Sequence, residues 1–253
     1  MNILLIFDYE RHDPYFSEDK INKLQLYFRD STDAGKLYIN YPMLESYQHL
    51  ESIPDYNYAE RSVPVSLQPG YQYKNLVKDT PIAHLIDLPH KMREILAEKF
   101  MVMDEEECTE LVEKMLLIHS DKQDILTQVK DILSDALHSE NLLTAQFQMK
   151  DLIDKNEYAG FGKNYYQYMR YIFKQIILHN IYKASQIQQD KYNLSSWEVK
   201  PFFENIDFAD ILSKQNLRSR DYKNGMIWVI NTSILFIPDY NFNLVSDDVM
   251  SYR

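Results

Sequence analysis

Apolar and polar positions change rhythm several times along this chain, and the first change is the most informative. Ile3-Leu4-Leu5-Ile6-Phe7 runs straight into Asp8, Glu10 and Asp13. A run of large apolar residues this short lacks the length of a helix with its own core face. It matches a strand buried on both faces, as in parallel sheets. The period then becomes helical. Ser17 is placed as an N-cap, Glu18 and Asp19 suit the positive end of a helix dipole, and Phe16 and Ile21 stand at staple positions. Ile21, Leu24, Tyr27 and Phe28 mark one face of a helix over about Ser17 to Arg29, which should stop among the turn formers of residues 30–35. Lys36 to Tyr41, closed by Pro42, is the next strand. Strand, helix and strand in this order predict a βαβ unit with parallel strands and a right-handed crossover.

Parallel strands end on the same edge of a sheet, which is where open α/β sheets bind ligands. Asn40 and Glu45 should therefore return to the edge that carries Asp8, Glu10 and Asp13. Asp8 and Glu10 are two apart and project to one side of extended backbone. Carboxylates so close repel unless a cation lies between them or one takes a proton. With neighbouring strands ~4.8 Å apart, Asp8, Glu10 and Glu45 are candidate ligands of one hard cation, Mg²⁺ or Mn²⁺. The competing reading is a solvated acidic loop after a core strand.

The rest of the chain reads as helical with interruptions. Prolines and tyrosines punctuate residues 51–81, predicting a long ordered loop or short edge strands, read either as tyrosine rings packed over the sheet edge or as a flap over the acidic site or a stacking surface for bases. Leu88 to Met101 predicts a helix with Pro89 in its first turn. Asp104 to Glu107 opens another, with acids at the dipole's positive end. Ile125, Val129, Ile132, Leu133 and Ala136 repeat at helical spacing in a third. Gly160-Phe161-Gly162-Lys163-Asn164 leads into a long helix from Tyr165 to Ile187, and Lys163 before that helix start is a candidate phosphate contact. His179 and Lys183 share a face of it; His179 reads as a general base or as a hydrogen-bonded core histidine. Trp197 to Leu217 predicts helical pieces broken at Pro201, Leu217 to Gly225 is the densest basic stretch, and Met226 to Ile237 predicts a buried helix. Asp239, Asp247 and Asp248 fall in a polar tail. The fold class is α/β: a small parallel sheet at the N-terminus, then a mainly helical region. The domains are residues 1–81 and 82–253, the second either separate or packed with the first as one unit.

Composition narrows the function. A formal net charge of −11 argues against indiscriminate coating of nucleic acid, although bound metal and local basic groups offset acidic ligands in a nuclease. Cys108 stands alone, which excludes an intrachain disulfide framework, fits a reducing cytoplasm and leaves zinc unsupported. Only 5 glycines are present, and neither a P-loop nor a dinucleotide-binding fingerprint occurs. The apolar start has no basic leader, and no run reaches the length of a membrane helix, so no membrane association is expected.

The hydrophobic strand, the Asp8-x-Glu10 pair, the following helix, the second strand and then Asn40-Tyr41-Pro42-Met43-Leu44-Glu45-Ser46 resemble part of a Toprim domain. More narrowly they are similar to the Toprim-like proteins of bacterial anti-phage systems, the RloB-like and OLD-type groups. The likeness covers roughly the first fifty residues. The chain departs from the pattern in having Asp-x-Glu for Asp-x-Asp, in placing Tyr41 between Asn40 and Pro42, and in showing no earlier glutamate-bearing strand. The resemblance implies that Asp8, Glu10 and Glu45 hold Mg²⁺ or Mn²⁺ for cleavage of RNA or DNA. Asp13 would assist as a ligand or orient water, and Lys163 would neutralise charge on the phosphate. It also implies service in antiviral defence, by abortive infection, with a protein partner in a defence complex. The alternative class is a non-catalytic protein-interaction subunit on a degenerate Toprim-like fold.

Overall fold

The structure, a computed structural model, describes residues 3–29, 35–67, 70–99, 104–119, 124–136, 141–156 and 158–246. In chain order the elements are β1 (Leu4–Asp8), α1 (Glu18–Tyr27), β2 (Lys36–Asn40), β3 (Ser62–Pro64), α2 (Tyr71–Val77), α3 (Pro81–Lys99), α4 (Glu105–Leu116), α5 (Ile125–Ala136) and α6 (Leu142–Lys155). They continue with α7 (Tyr165–Gln189), α8 (Ser196–Phe203), α9 (Phe208–Arg218), β4 (Met226–Trp228), α10 (Phe236–Tyr240) and α11 (Asn243–Ser246). Short 3-10 turns fall at Leu44–Gln48, Tyr58–Glu60, Tyr158–Phe161 and Ser233–Leu235. The fold is α/β, with the parallel pair at the N-terminus and helices dominating the rest of the chain. It divides into two compact units, residues 1–80 with 174–253, and residues 81–173. One division falls at Thr80, where the sequence reading places the end of the Pro- and Tyr-rich segment at 81, and the C-terminal part from Lys174 groups with the N-terminal part.

In the first unit β1 pairs with β2 in parallel, Leu4 opposite Lys36 and Asp8 opposite Asn40. Gly35 makes the close approach possible: its φ is +101°, and a Cβ there would lie 2.8 Å from the Ile3 carbonyl oxygen. β2 is the buried strand, with Leu37, Tyr38, Ile39 and Asn40 enclosed. β1 is not covered as its sequence predicts. Ile6 and Phe7 point to opposite faces and are 44% and 50% exposed, so neither face is fully covered, and among the described residues β2 is the one strand paired with it.

Helix α1 keeps its predicted start, with Ser17 Oγ accepting from Lys20 N at 3.3 Å. Its inward side is different. Leu24 and Tyr27 are exposed, while Gln25 is buried and donates to the Leu37 carbonyl at 3.2 Å. The stop expected at residues 30–35 falls largely outside the described residues. A second, antiparallel pair joins β3 to β4, and Tyr41 bridges Ile230.

The stretch from Met226 to Ile237 is not one helix. It is strand β4, then a polar elbow, then the 3-10 turn that leads into α10. The elbow side chains take the backbone's hydrogen bonds: Asn231 Oδ1 accepts from Ile234 N at 3.0 Å, and Thr232 Oγ1 donates to the Ile39 carbonyl at 2.8 Å. Such side-chain bonds compete with helical ones and end the element. Likewise α8 runs through Pro201 and ends at Phe203. Its start is fixed by a capping box of Ser195 and Glu198.

The second unit is helical. Leu88, Met92, Leu96, Met115, Val129, Leu133, Met149 and Ile153 form its core. α4 is capped by Asp104, whose Oδ1 accepts from Glu107 N at 2.8 Å, and α5 spans the predicted residues. α3 begins earlier than its pattern suggests, at Pro81, and carries Pro89 in its interior. Pro89 has no N–H for the Leu85 carbonyl; the Tyr165 hydroxyl donates to that oxygen instead, at 3.2 Å.

Candidate functional site

Tyr9 organises the end of the sheet. It is fully buried, and its hydroxyl donates to Asn216 Oδ1 at 2.7 Å and pairs with Ser219 Oγ at 2.7 Å. Its ring meets Phe16 at 5.2 Å and Tyr41 at 5.1 Å, and burial pushes its hydroxyl pKa up to about 12. Its backbone N–H is shared between the carbonyls of Asn40 at 2.9 Å and Pro42 at 3.1 Å. Asp8 ends β1, and Glu10, just beyond the strand, is close enough to act on the Asp8 carboxyl.

Asp8 is the centre of the acidic group. Burial raises its carboxyl above the usual aspartate value; the Leu44 N–H, which donates to it, works the other way, and Glu45 and Glu10 raise it further. The structure thus brings Asp8, Glu10 and Glu45 to the carboxyl end of the parallel pair. The remaining charge there is Lys74 of α2, whose Nζ lies 2.8 Å from Glu45 Oε1 and whose field lowers Asp8. Nothing in the sequence marked Lys74, because it lies in a stretch whose Pro and Tyr content reads as loop. Among the described residues, no three His, Cys, Asp or Glu side chains are gathered closely enough to hold a metal ion.

Asn40 arrives at this edge as expected but is fully buried, with Oδ1 accepting from Ser233 N at 3.0 Å. Its Nδ2 and the buried Ser46 Oγ, next to Glu45, are polar atoms without a hydrogen-bond partner among the described residues. Asp13 is not among the charges that shift Asp8. Its Oδ1 accepts from Tyr15 N at 2.7 Å and its carbonyl from Phe16 N at 2.9 Å, shaping the turn into α1. Lys163 lies in the second unit, just before α7.

The other candidates are parts of the scaffold. His179 Nε2 accepts from Asp55 N at 2.9 Å, and its Nδ1 donates to the Gln175 carbonyl at 2.7 Å, so both ring nitrogens are committed. Lys183 is fully buried and donates to the carbonyls of Tyr58, Ala59 and Arg61, holding the 3-10 turn onto α7; burial pushes its pKa down to about 7. Tyr58 and Tyr73 are buried as expected, but Tyr56 and Tyr71 are exposed. In the basic stretch, Arg220 pairs with Glu18 at 3.0 Å, and Arg218 lies over the Trp228 ring at 5.0 Å.

No family model, curated protein or solved structure significantly matches this chain. The reading of the site therefore rests on its own geometry. Chemically, Asp8, Glu10 and Glu45 offer hard oxygen donors, and burial, ahead of the neighbouring carboxylates, is what raises the Asp8 carboxyl. Among the described residues the three carboxylates do not form a cage for a metal ion. Among the described residues no helix is long and apolar enough to cross a membrane.

Proposed function

We propose that this chain is a Toprim-like, Mg²⁺- or Mn²⁺-assisted nuclease or phosphodiesterase acting on RNA or DNA, a cytoplasmic effector of antiviral defence. The observation that carries the reading is the convergence of Asp8, Glu10 and Glu45 at the carboxyl end of a parallel pair, with Lys74 beside them. A bound divalent cation supplies Lewis-acid polarisation of a phosphate and a more acidic water. Asp8, whose backbone is fixed between β1 and the buried Tyr9, is the main ligand, with Glu10 and Glu45 as its neighbours. Lys74 balances the carboxylates in the resting protein and is the cation nearest to an incoming phosphate, the role that the sequence alone assigned to Lys163.

The test pairs melting curves with cleavage. Mg²⁺ or Mn²⁺ should raise the melting temperature by mass action, and RNA, tRNA or plasmid DNA should be cut only with metal. Asp8→Asn should abolish both effects. A wild-type chain that neither cleaves nor is stabilised by either metal overturns this reading.

A second reading is favoured by one observation, the uncovered β1. Among the described residues, a strand of sequence Leu-Leu-Ile-Phe that is paired on one edge, with Leu4, Ile6 and Phe7 exposed, presents backbone and apolar surface to another polypeptide. In that reading the chain is a protein-interaction subunit that keeps the Toprim-like sheet without its catalysis, and a partner strand completes the sheet.

A further inference from the structure

A cavity of about 350 Å³ opens in the first unit at the end of β2 that carries Lys36, away from the acids that adjoin Asn40. The two ends of that strand are roughly 13 Å apart at ~3.3 Å per residue. Two ring pairs wall the cavity. Tyr38 and Phe208 meet edge to face at 5.4 Å, and Phe203 and Phe242 are tilted with centroids 5.6 Å apart. Between them Asp239 Oδ2 accepts from both Lys36 Nζ and Tyr38 Oη, each at 2.8 Å. Both donors use the same oxygen, which leaves Oδ1 as an acceptor among the described residues. Lys36 Nζ also stands 5.5 Å from the Tyr38 and Phe208 ring centroids and keeps protons to donate. Lys200 and Glu204 add one more charge of each sign, 3.8 Å apart.

These features select a ligand class. The lining carries two cations and two carboxylates, which cancel, so the cavity favours a neutral guest over a free anion or cation. Lys36 Nζ stands over the Tyr38 and Phe208 rings and Lys200 Nζ over the Phe242 ring at 5.9 Å, so a planar guest stacks on the aromatic surface that these ammonium groups leave. The ammonium and carboxylate side by side match a heterocycle edge on which an acceptor adjoins a donor, as on the hydrogen-bonding edges of the nucleobases. The volume lies within the ~300–1,000 Å³ range of small-molecule sites.

We propose that this cavity binds the nucleobase of a neutral nucleoside, stacked among Tyr38, Phe203, Phe208 and Phe242 and read at its edge by Lys36 and Asp239. The site is separate from the acidic cluster, and its existence does not depend on cleavage.

The test uses the full chain and ligand-observed saturation-transfer NMR with adenosine, cytidine, guanosine and uridine. Ribose 5-phosphate and L-phenylalanine serve as controls. At least one nucleoside should bind saturably, with stronger saturation of base protons than of ribose protons, and neither control should bind. Phe242→Leu keeps an apolar side chain and removes a stacking ring. It should weaken binding roughly tenfold, as expected for the loss of one base–aromatic stack, with a melting curve showing that the variant is folded. The base-over-ribose pattern in the wild-type chain decides the matter even if that variant fails to fold. Absence of saturable nucleoside binding, equal binding of L-phenylalanine, stronger saturation of ribose, or full affinity in a folded Phe242→Leu would each overturn the proposal.

Discussion

Lys74 Nζ lies 2.8 Å from Glu45 Oε1, so the end of the sheet carries its own counter-cation. Removing that cation should leave Glu45 available as a ligand. Lys74→Met is expected to enlarge the rise in melting temperature produced by Mn²⁺ while lowering any cleavage rate. An unchanged Mn²⁺ response in the variant would show that Glu45 takes no part in holding the ion.

Asp8 should behave as a functional acid. Burial and the neighbouring Glu45 and Glu10 raise its folded pKa, so the fold favours the protonated form. That contribution to stability is present below the unfolded pKa and is lost as pH rises through the folded one. At neutral pH, Asp8→Asn should therefore leave the metal-free protein as stable as the wild type or more so, while Mn²⁺ no longer raises its melting temperature. Melting in EDTA at pH 7 checks this; a clear loss of stability there would identify Asp8 as a structural acid held by the Leu44 N–H.

His49 should make the first unit acid-sensitive. Its ring is buried, its Nδ1 lies 3.1 Å from the Tyr73 hydroxyl, and burial, aided by Arg61, pushes its pKa from 6.5 to about 4. The unfolded chain therefore binds more protons between those values. Stability should be full above about pH 6.5 and fall towards pH 4, by up to about 1.4 kcal/mol per pH unit from this residue. Urea titrations of wild type and His49→Gln across that window should show a shallower fall in the variant.

Tyr165 should matter to a helix it does not belong to. Its hydroxyl supplies the donor that Pro89 lacks for the Leu85 carbonyl. Tyr165→Phe leaves a buried acceptor without a partner and should cost about 1–3 kcal/mol, read by chemical denaturation. Adding Pro89→Ala, which restores the backbone donor, should recover most of that loss.

The exposed face of β1 makes a prediction about association. Phe7→Lys places a charge on an open strand, one of the devices that block edge-to-edge pairing. It should lower the concentration-dependent light scattering of the purified chain without lowering its melting temperature. Equal scattering by both proteins would show that β1 does not drive self-association.

The local pattern was enough to place β1, α1, β2, α4 and α5 close to their observed limits and to put Glu10 and Glu45 near Asp8, although no three ligands among the described residues gather into the one cation site read from them. These follow from periodicity, capping and the rule that parallel strands share an end, all properties of short segments. Features that depended on distant groups were not legible. The polar face of α1 turned inward because Leu37 and Asn216 offer partners for Gln25 and Asn22. Pro89 stayed inside α3 because Tyr165 reaches its orphaned carbonyl. Lys74 met Glu45 because a stretch that reads as loop folded into α2. The covering expected for β1 needs a neighbour that no run of apolar residues can supply by itself. Spacing along a chain determines which face a side chain takes; only the packed structure decides what that face meets.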